Sequence, residues 1–262
     1  MTNETGILTR YAAVLDALAV APEGLLLTEV ARATGLPRGT AHRLLGALRG
    51  VGFITGRDGR KVYVLGPRLL RLLHLGQEPA AVAPLARPLL DDLTARFKET
   101  AFLAKLAGDE VRSVAMRVPD SESQSYVQPG RVMPVHAAAS AKAIWAYQNQ
   151  TAVDALLAAP RERFTDKTRT GEAELRADLE RVRISGYAVC DGELDPGVLS
   201  YACPVHLDGA GVLYAMGMVG LSQRLGRYPP EEVVAALREA ADAFARGPLA
   251  SVQGVESGGD RP

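Results

Sequence analysis

Four side chains able to grip an anion or a base edge crowd the stretch "GLPRGTAHRLL" at residues 35–45: Arg38, Thr40, His42 and Arg43. An arginine guanidinium can hold guanine O6 and N7, or a phosphate, through two parallel hydrogen bonds. A threonine hydroxyl can serve a phosphate oxygen. Pro37 suits the first position of a helix. On a helical period, Ala41, Leu44, Leu45 and Leu48 form one apolar face, and Gly39, His42, Arg43 and Gly46 lie opposite. Glycines on that outer face let the backbone come close to a partner while the long side chains beside them reach further. The free N–H groups of the first turn are suited to a phosphate.

Such a helix needs a frame to present it. "TRYAAVLDALAVA" (9–21) has Tyr11, Val14, Leu15 and Leu18 at amphipathic helical spacing. "LTEVARATG" (27–35) reads as a short helix capped by Thr28 and stopped by Gly35. After Gly52 the period changes to the β-rich runs 53–55 and 61–65, separated by "GRDGR", where Asp58-Gly59 is a hairpin-turn signal. Three short helices and a small hairpin make a winged helix-turn-helix over residues 1–66. In that frame Thr28, Arg38, Gly39, Thr40, His42 and Arg43 are expected to face double-stranded DNA. Arg57 and Arg60, flanking the wing turn, are expected to enter or line the minor groove.

Residues 67–84 read as a linker helix running into a Gly/Pro-punctuated stretch, and a second body spans 85–249. Its pattern is a helix at 85–99, strands at 100–107 and 110–118, helices at 137–149 and 170–186, strands at 187–193, 198–207 and 211–221, and a last helix at 229–247. The tail 250–262 has little to bury and reads as disordered. The fold class is α+β, with the winged helix joined by the linker helix to an antiparallel-sheet domain.

Charge separates the two parts. Residues 1–76 carry ten basic and five acidic side chains, whereas the remainder carries 20 basic and 25 acidic, so only the head is suited to phosphate. A 47% hydrophobic content supports a sizeable core. No apolar run approaches the roughly 20 residues of a membrane span, and the start "MTNETGILTR", with no basic stretch followed by an apolar core, does not read as a signal peptide. The expectation is a cytoplasmic protein without membrane partners. Cys190 and Cys203, thirteen residues apart on adjacent strand candidates, keep a thiol-based redox sensor open as an alternative. Asp191, Glu193 and Asp195 form an acidic turn, but no His or Cys completes a metal set there, and no cofactor is expected. No nucleophile elbow, Walker loop or dinucleotide fingerprint is present, so no catalytic residue is assigned. An enzyme acting on a pocket ligand is the remoter alternative.

The stretches "EGLLLTEVARATGLPRGTAHRLLGALRGVGFI", "YVLGPRLLRL", "VHAAASAKAIWA", "GYAVCDGELDPGVLSYACPV" and "MGMVGLSQRL" resemble an IclR-type transcriptional regulator, and the likeness runs from about residue 7 to 247. Family members often have Ser or another polar residue where Gly39 stands. The resemblance implies a GAF-like effector-binding domain, a homodimer or dimer of dimers, and switching of genes by a small-molecule effector, here expected to act on a repressor. It also places an effector cavity between the sheet and the helix after "VH". The N–H groups of Ala139 and Ser140 and the Ser140 hydroxyl would face a ligand carboxylate there. On the facing strands, members that bind small acids carry an Asp, a Cys and two Ser. The matching positions here are Cys190, Ser200, Gly217 and Val219, with Ser200 the one hydroxyl donor left. Loss of the carboxylate and added space at Gly217 predict an aromatic or amphipathic ligand rather than a small oxoacid.

Overall fold

The computed structural model describes residues 6–56, 61–119 and 130–247. It divides into two compact units, Met1–Gly76 with Asp208–Gly211, and Gln77–Leu207 with Val212–Pro262. Arg57, Arg60, the hairpin turn between them and the tail 250–262 lie outside the described residues.

In the first unit, α1 (Ile7–Ala19), α2 (Leu27–Thr34) and α3 (Arg38–Gly50) pack with a three-stranded antiparallel sheet. Its strands are β1 (Leu25–Leu26), β2 (Ile54–Gly56) and β3 (Val62–Leu65), in the order β1-β3-β2. Val14 and Leu18 of α1, Val30 of α2, Leu44, Leu45 and Leu48 of α3, and Ile54 form one buried cluster. Ala41 is also buried, so the whole apolar face read for α3 points inward. The turn between α2 and α3 depends on Gly35, whose φ of +67° is a left-handed conformation that other residues adopt at a cost.

One detail departs from the sequence reading. Thr28 does not cap α2 but lies exposed in its first turn. The cap is Leu26, whose backbone N–H donates to the Glu29 carboxylate at 2.7 Å. β1 delivers the chain straight into the helix, and a carboxylate in the first turn also suits the helix dipole.

α4 (Pro67–Gly76) closes the first unit, and α5 (Pro79–Phe97) opens the second. The single linker helix expected at 67–84 is therefore two helices, broken at residues 77–78. α5 starts well before residue 85 and runs through Pro84 and Pro88. Interior prolines remove a hydrogen bond each and disfavour a helix. Burial of Val82, Ala86, Leu90, Leu93 and Phe97 on one stripe outweighs that cost.

The second unit is built on a six-stranded antiparallel sheet ordered β6-β5-β4-β9-β8-β7. Its strands are β4 (Thr100–Ala107), β5 (Glu110–Arg117), β6 (Val132–Met133), β7 (Ala188–Asp191), β8 (Val198–Leu207) and β9 (Gly211–Leu221). α5 and α10 (Pro230–Arg246) cover one face. The opposite face carries α6 (Ala139–Trp145), which is backed by α8 (Glu172–Ser185). α7 (Gln150–Ala158) packs on α8, and the short α9 (Ser222–Leu225) follows β9. Among the described residues, no helix is long and apolar enough to cross a membrane.

Candidate DNA-reading helix and effector cavity

The exposed side of α3 presents Arg38, Gly39, His42, Arg43 and Gly46, with Thr40 half-buried at its edge. No side chain of Arg38, His42 or Arg43 has an ion pair or hydrogen bond among the described residues. A Cβ built on Gly39 or Gly46 would meet nothing within 4 Å, so the helix backbone is open to a partner at both points. The buried leucines of the inner face fix the helix in the first unit, and that fixes which side its cations face.

In the second unit, the sheet and α6 enclose a cavity of about 40 Å³. Ala139 and Ser140 of α6, Cys190 of β7, Ser200 of β8 and Val219 of β9 all line it. Five of the six positions expected for the effector thus meet in one place. Phe102, Arg131, Met133, Ala138, Leu194, Asp195 and Val198 complete the wall. Sequence reading missed these because they come from β4, from the short β6 and its approach, from the cap of α6, from the turn after β7 and from the start of β8. The Ser140 hydroxyl is buried and has no hydrogen-bond partner among the described residues. A buried donor without a partner costs about 1–3 kcal/mol, so it is poised for an acceptor brought by a ligand.

Two expectations are corrected. Ser200 is not a free donor, because its hydroxyl donates to the Met218 carbonyl at 2.9 Å. Gly217 adds no space to the cavity and does not line it. A Cβ there would lie 2.3 Å from Phe102 Cζ, because the phenyl ring already occupies the room that the glycine leaves.

A larger open groove of about 640 Å³ runs along β7 and α8. Its rim charges are already engaged, Lys167 with Asp191 at 3.1 Å and Arg169 and Arg181 with Asp178. None of the six expected effector positions lines it, so the smaller cavity is the better candidate.

Behind the cavity lies a buried ion network. Lys142 of α6 is 1% exposed, and its ammonium donates to both Glu193 carboxylate oxygens at 2.8 Å and to the Val189 carbonyl at 3.1 Å. It also pairs with Asp178 of α8 at 3.0 Å, and Arg169 reaches both carboxylates. The Thr168 hydroxyl donates to the Glu193 carbonyl at 2.6 Å. The acidic turn is therefore held by cations of the chain itself, and Glu193 fixes the turn that carries Leu194 and Asp195 into the cavity wall. Burial works to raise the Asp178 carboxyl, but the charges and hydrogen bonds of Lys142, with Arg169 and Arg181, outweigh it and hold its pKa below the ordinary value. A depressed carboxyl contributes stability at neutral pH, and that contribution is lost as pH falls through the folded-state value. The expected result is acid destabilisation beginning below about pH 4. Asp178→Asn should flatten that limb in urea titrations at pH 3–7. An unchanged limb would remove Asp178 from the account.

The cysteines are parted by the sheet. Cys190 pairs across strands with Ser200 and faces the cavity beside α6, whereas the Cys203 thiol lies against the Val234 carbonyl of α10. Side chains an odd number of residues apart on β8 point to opposite faces, so the two thiols cannot join in the way the redox alternative required. Burial also pushes both thiols up, Cys203 to about 12, away from the reactive thiolate. His136 is taken up structurally, its Nε2 bonded to the Glu162 carbonyl at 2.7 Å and its ring stacked on Phe164.

Comparison with known proteins agrees with both halves. Residues 7–58 match the model of the IclR helix-turn-helix domain, and residues 78–246 match that of the bacterial transcriptional regulator IclR C-terminal domain. The glycerol operon regulatory protein of Streptomyces coelicolor is 33% identical over 249 residues, covering 94% of this chain and 97% of that protein. The Pca regulon regulatory protein of Pseudomonas putida is 28% identical over 228 residues, covering 86% and 77%. Among solved structures, an IclR homolog from Microbacterium hydrocarbonoxydans complexed with 4-hydroxybenzoate is 26% identical, covers 92% of this chain and 98% of its own, and superimposes with a TM-score of 0.59. The chain belongs to the IclR family of transcriptional regulators, with an N-terminal helix-turn-helix and a C-terminal antiparallel-sheet domain.

Proposed function

We propose that this regulator represses by binding an operator duplex through α3 and that a single-ring aromatic carboxylate controls that binding. Arg38, Gly39, Thr40, His42 and Arg43 are the reading set, and Thr28 of α2 contacts the backbone. The observation that carries the effector half is the unpartnered Ser140 hydroxyl in a cavity whose apolar wall is formed by Phe102, Met133, Leu194, Val198 and Val219. The apolar wall suits a ring, the hydroxyl suits an acceptor, and the Arg131 guanidinium on the same wall matches a carboxylate charge. Ala138, Ala139, Cys190, Asp195 and Ser200 supply the remaining lining. The Microbacterium relative's complex with 4-hydroxybenzoate supports this ligand class.

Ligand pockets commonly hold about 300–1,000 Å³, far above the 40 Å³ here. Ligand entry must therefore move the wall, and a ligand that favours the opened arrangement can shift DNA affinity. Exposed Ile7 and Leu8 on α1, and Leu72 and Leu73 on α4, support a homodimer as the DNA-binding form.

The test is binding of purified protein to the duplex upstream of its own gene, titrated with 4-hydroxybenzoate, benzoate and glyoxylate. Aromatic acids should change operator affinity at least several-fold, and Ser140→Ala should weaken their binding by roughly five- to tenfold, the value of about one hydrogen bond. Tight binding of glyoxylate with indifference to the aromatic acids would overturn the ligand class.

A further inference from the structure

We propose that Phe102 and Gly217 act as a matched pair that sets the largest ligand the cavity admits. The inference rests on reading this cavity as the effector site. Antiparallel pairing of β4 with β9 places Phe102 directly across from Gly217, so both positions point to the same face of the sheet, the face covered by α6. The phenyl ring lies flat over the glycine. A Cβ at 217 would stand 2.3 Å from Cζ and 2.8 Å from both Cε atoms, distances no real contact has. Any side chain at 217 would therefore lift the ring off the sheet.

Phe102 is only 2% exposed and is itself a wall of the cavity. A lifted ring has little room to go except into that cavity. The glycine thus stores the ring against the sheet, and the ring, rather than the glycine, bounds the space. A strand glycine under an aromatic neighbour is the pattern expected where close approach is needed.

Two substitutions then act in opposite directions. Phe102→Ala removes the wall and joins the ring's volume to the cavity, because tightly packed interiors refill such space only in part. Gly217→Ala drives the ring inward and closes what space there is. In the double variant the two effects meet: without the ring, a methyl at 217 has nothing to displace.

The experiment is calorimetric titration of the full chain and the three variants with benzoate, 2-naphthoate and uncharged indole, with circular dichroism to confirm folding. The wild type should bind benzoate and reject 2-naphthoate by at least tenfold. Phe102→Ala should gain at least tenfold for 2-naphthoate. Gly217→Ala should lose at least tenfold for benzoate, and adding Phe102→Ala to it should restore binding, which general destabilisation would not do. Phe102→Ala that keeps the wild-type preference, or Gly217→Ala that binds benzoate like wild type, overturns the proposal. A wild-type chain that binds neither acid overturns the aromatic-acid reading instead. The size filter is then judged by indole alone, an apolar cavity ligand: uptake by Phe102→Ala and not by wild type upholds the wall, and no uptake by either overturns it.

Discussion

If α3 reads the operator as proposed, Arg43→Ala should lower operator affinity by about ten- to a hundredfold, the equivalent of roughly 1–3 kcal/mol for a lost guanidinium contact to a base edge. Arg43 lies on the exposed side of α3, next to the buried Leu44 and Leu45, and none of its charge is spent within the chain among the described residues. Truncation should therefore leave stability within about 0.5 kcal/mol of wild type, as for surface sites away from packing. Measuring affinity across salt concentrations separates two roles. If Arg43 reads a base, the variant tolerates substitution at one operator position and keeps its salt slope. If it holds a phosphate, it weakens binding to all duplexes alike and lowers the slope by about 1. Unchanged affinity on every duplex would place the reading face elsewhere than α3.

Lys142→Met destabilises the chain by about 3 kcal/mol, the low end of the 3–5 kcal/mol typical when one partner of a buried pair is removed. The low end applies because Arg169 still reaches Glu193 and Asp178. What is lost is the ammonium between both carboxylates and the Val189 carbonyl, with contacts of 2.8–3.1 Å. Against a total stability of about 5–15 kcal/mol this is a large share. The urea midpoint is the direct measure. Adding Glu193→Gln and Asp178→Asn should recover part of the loss, since it removes the stranded charges as well. A single variant as stable as wild type would mean that water or Arg169 fully replaces the lysine. Because Glu193 anchors the turn bearing Leu194 and Asp195, the same variant should also blunt ligand response in whatever fraction remains folded.

The helix-turn-helix was readable because its signals are local: the apolar positions of α3 recur at helical spacing, and all four are buried. The strands at 100–107, 198–207 and 211–221 were likewise visible, since largely apolar runs of that length bounded by turn residues fit a covered sheet. α5 was cut short by its prolines, whose local penalty tertiary burial overrides. α7 escaped notice although Asn149 caps it, its side chain accepting from the Ala152 N–H at 2.8 Å. The cavity was legible only in part. Gly217 looked like added space because its occupant, Phe102, is remote in sequence and becomes a neighbour only through strand pairing. Glu193 looked like one acid of a loose cluster because its counter-ion, Lys142, sits on a helix 51 residues away.

The separation of the two thiols by the sheet gives the domain a pair of independent clocks. Cys190 sits in the cavity wall, so an alkylating reagent should reach it when that wall opens, and a ligand seated there, as proposed, should shield it. Cys203 lies under α10 on the other face and is reached only by a wider loss of packing. The ratio of their labelling rates in one sample therefore distinguishes breathing of the cavity from unfolding of the domain, with no probe added to the sequence.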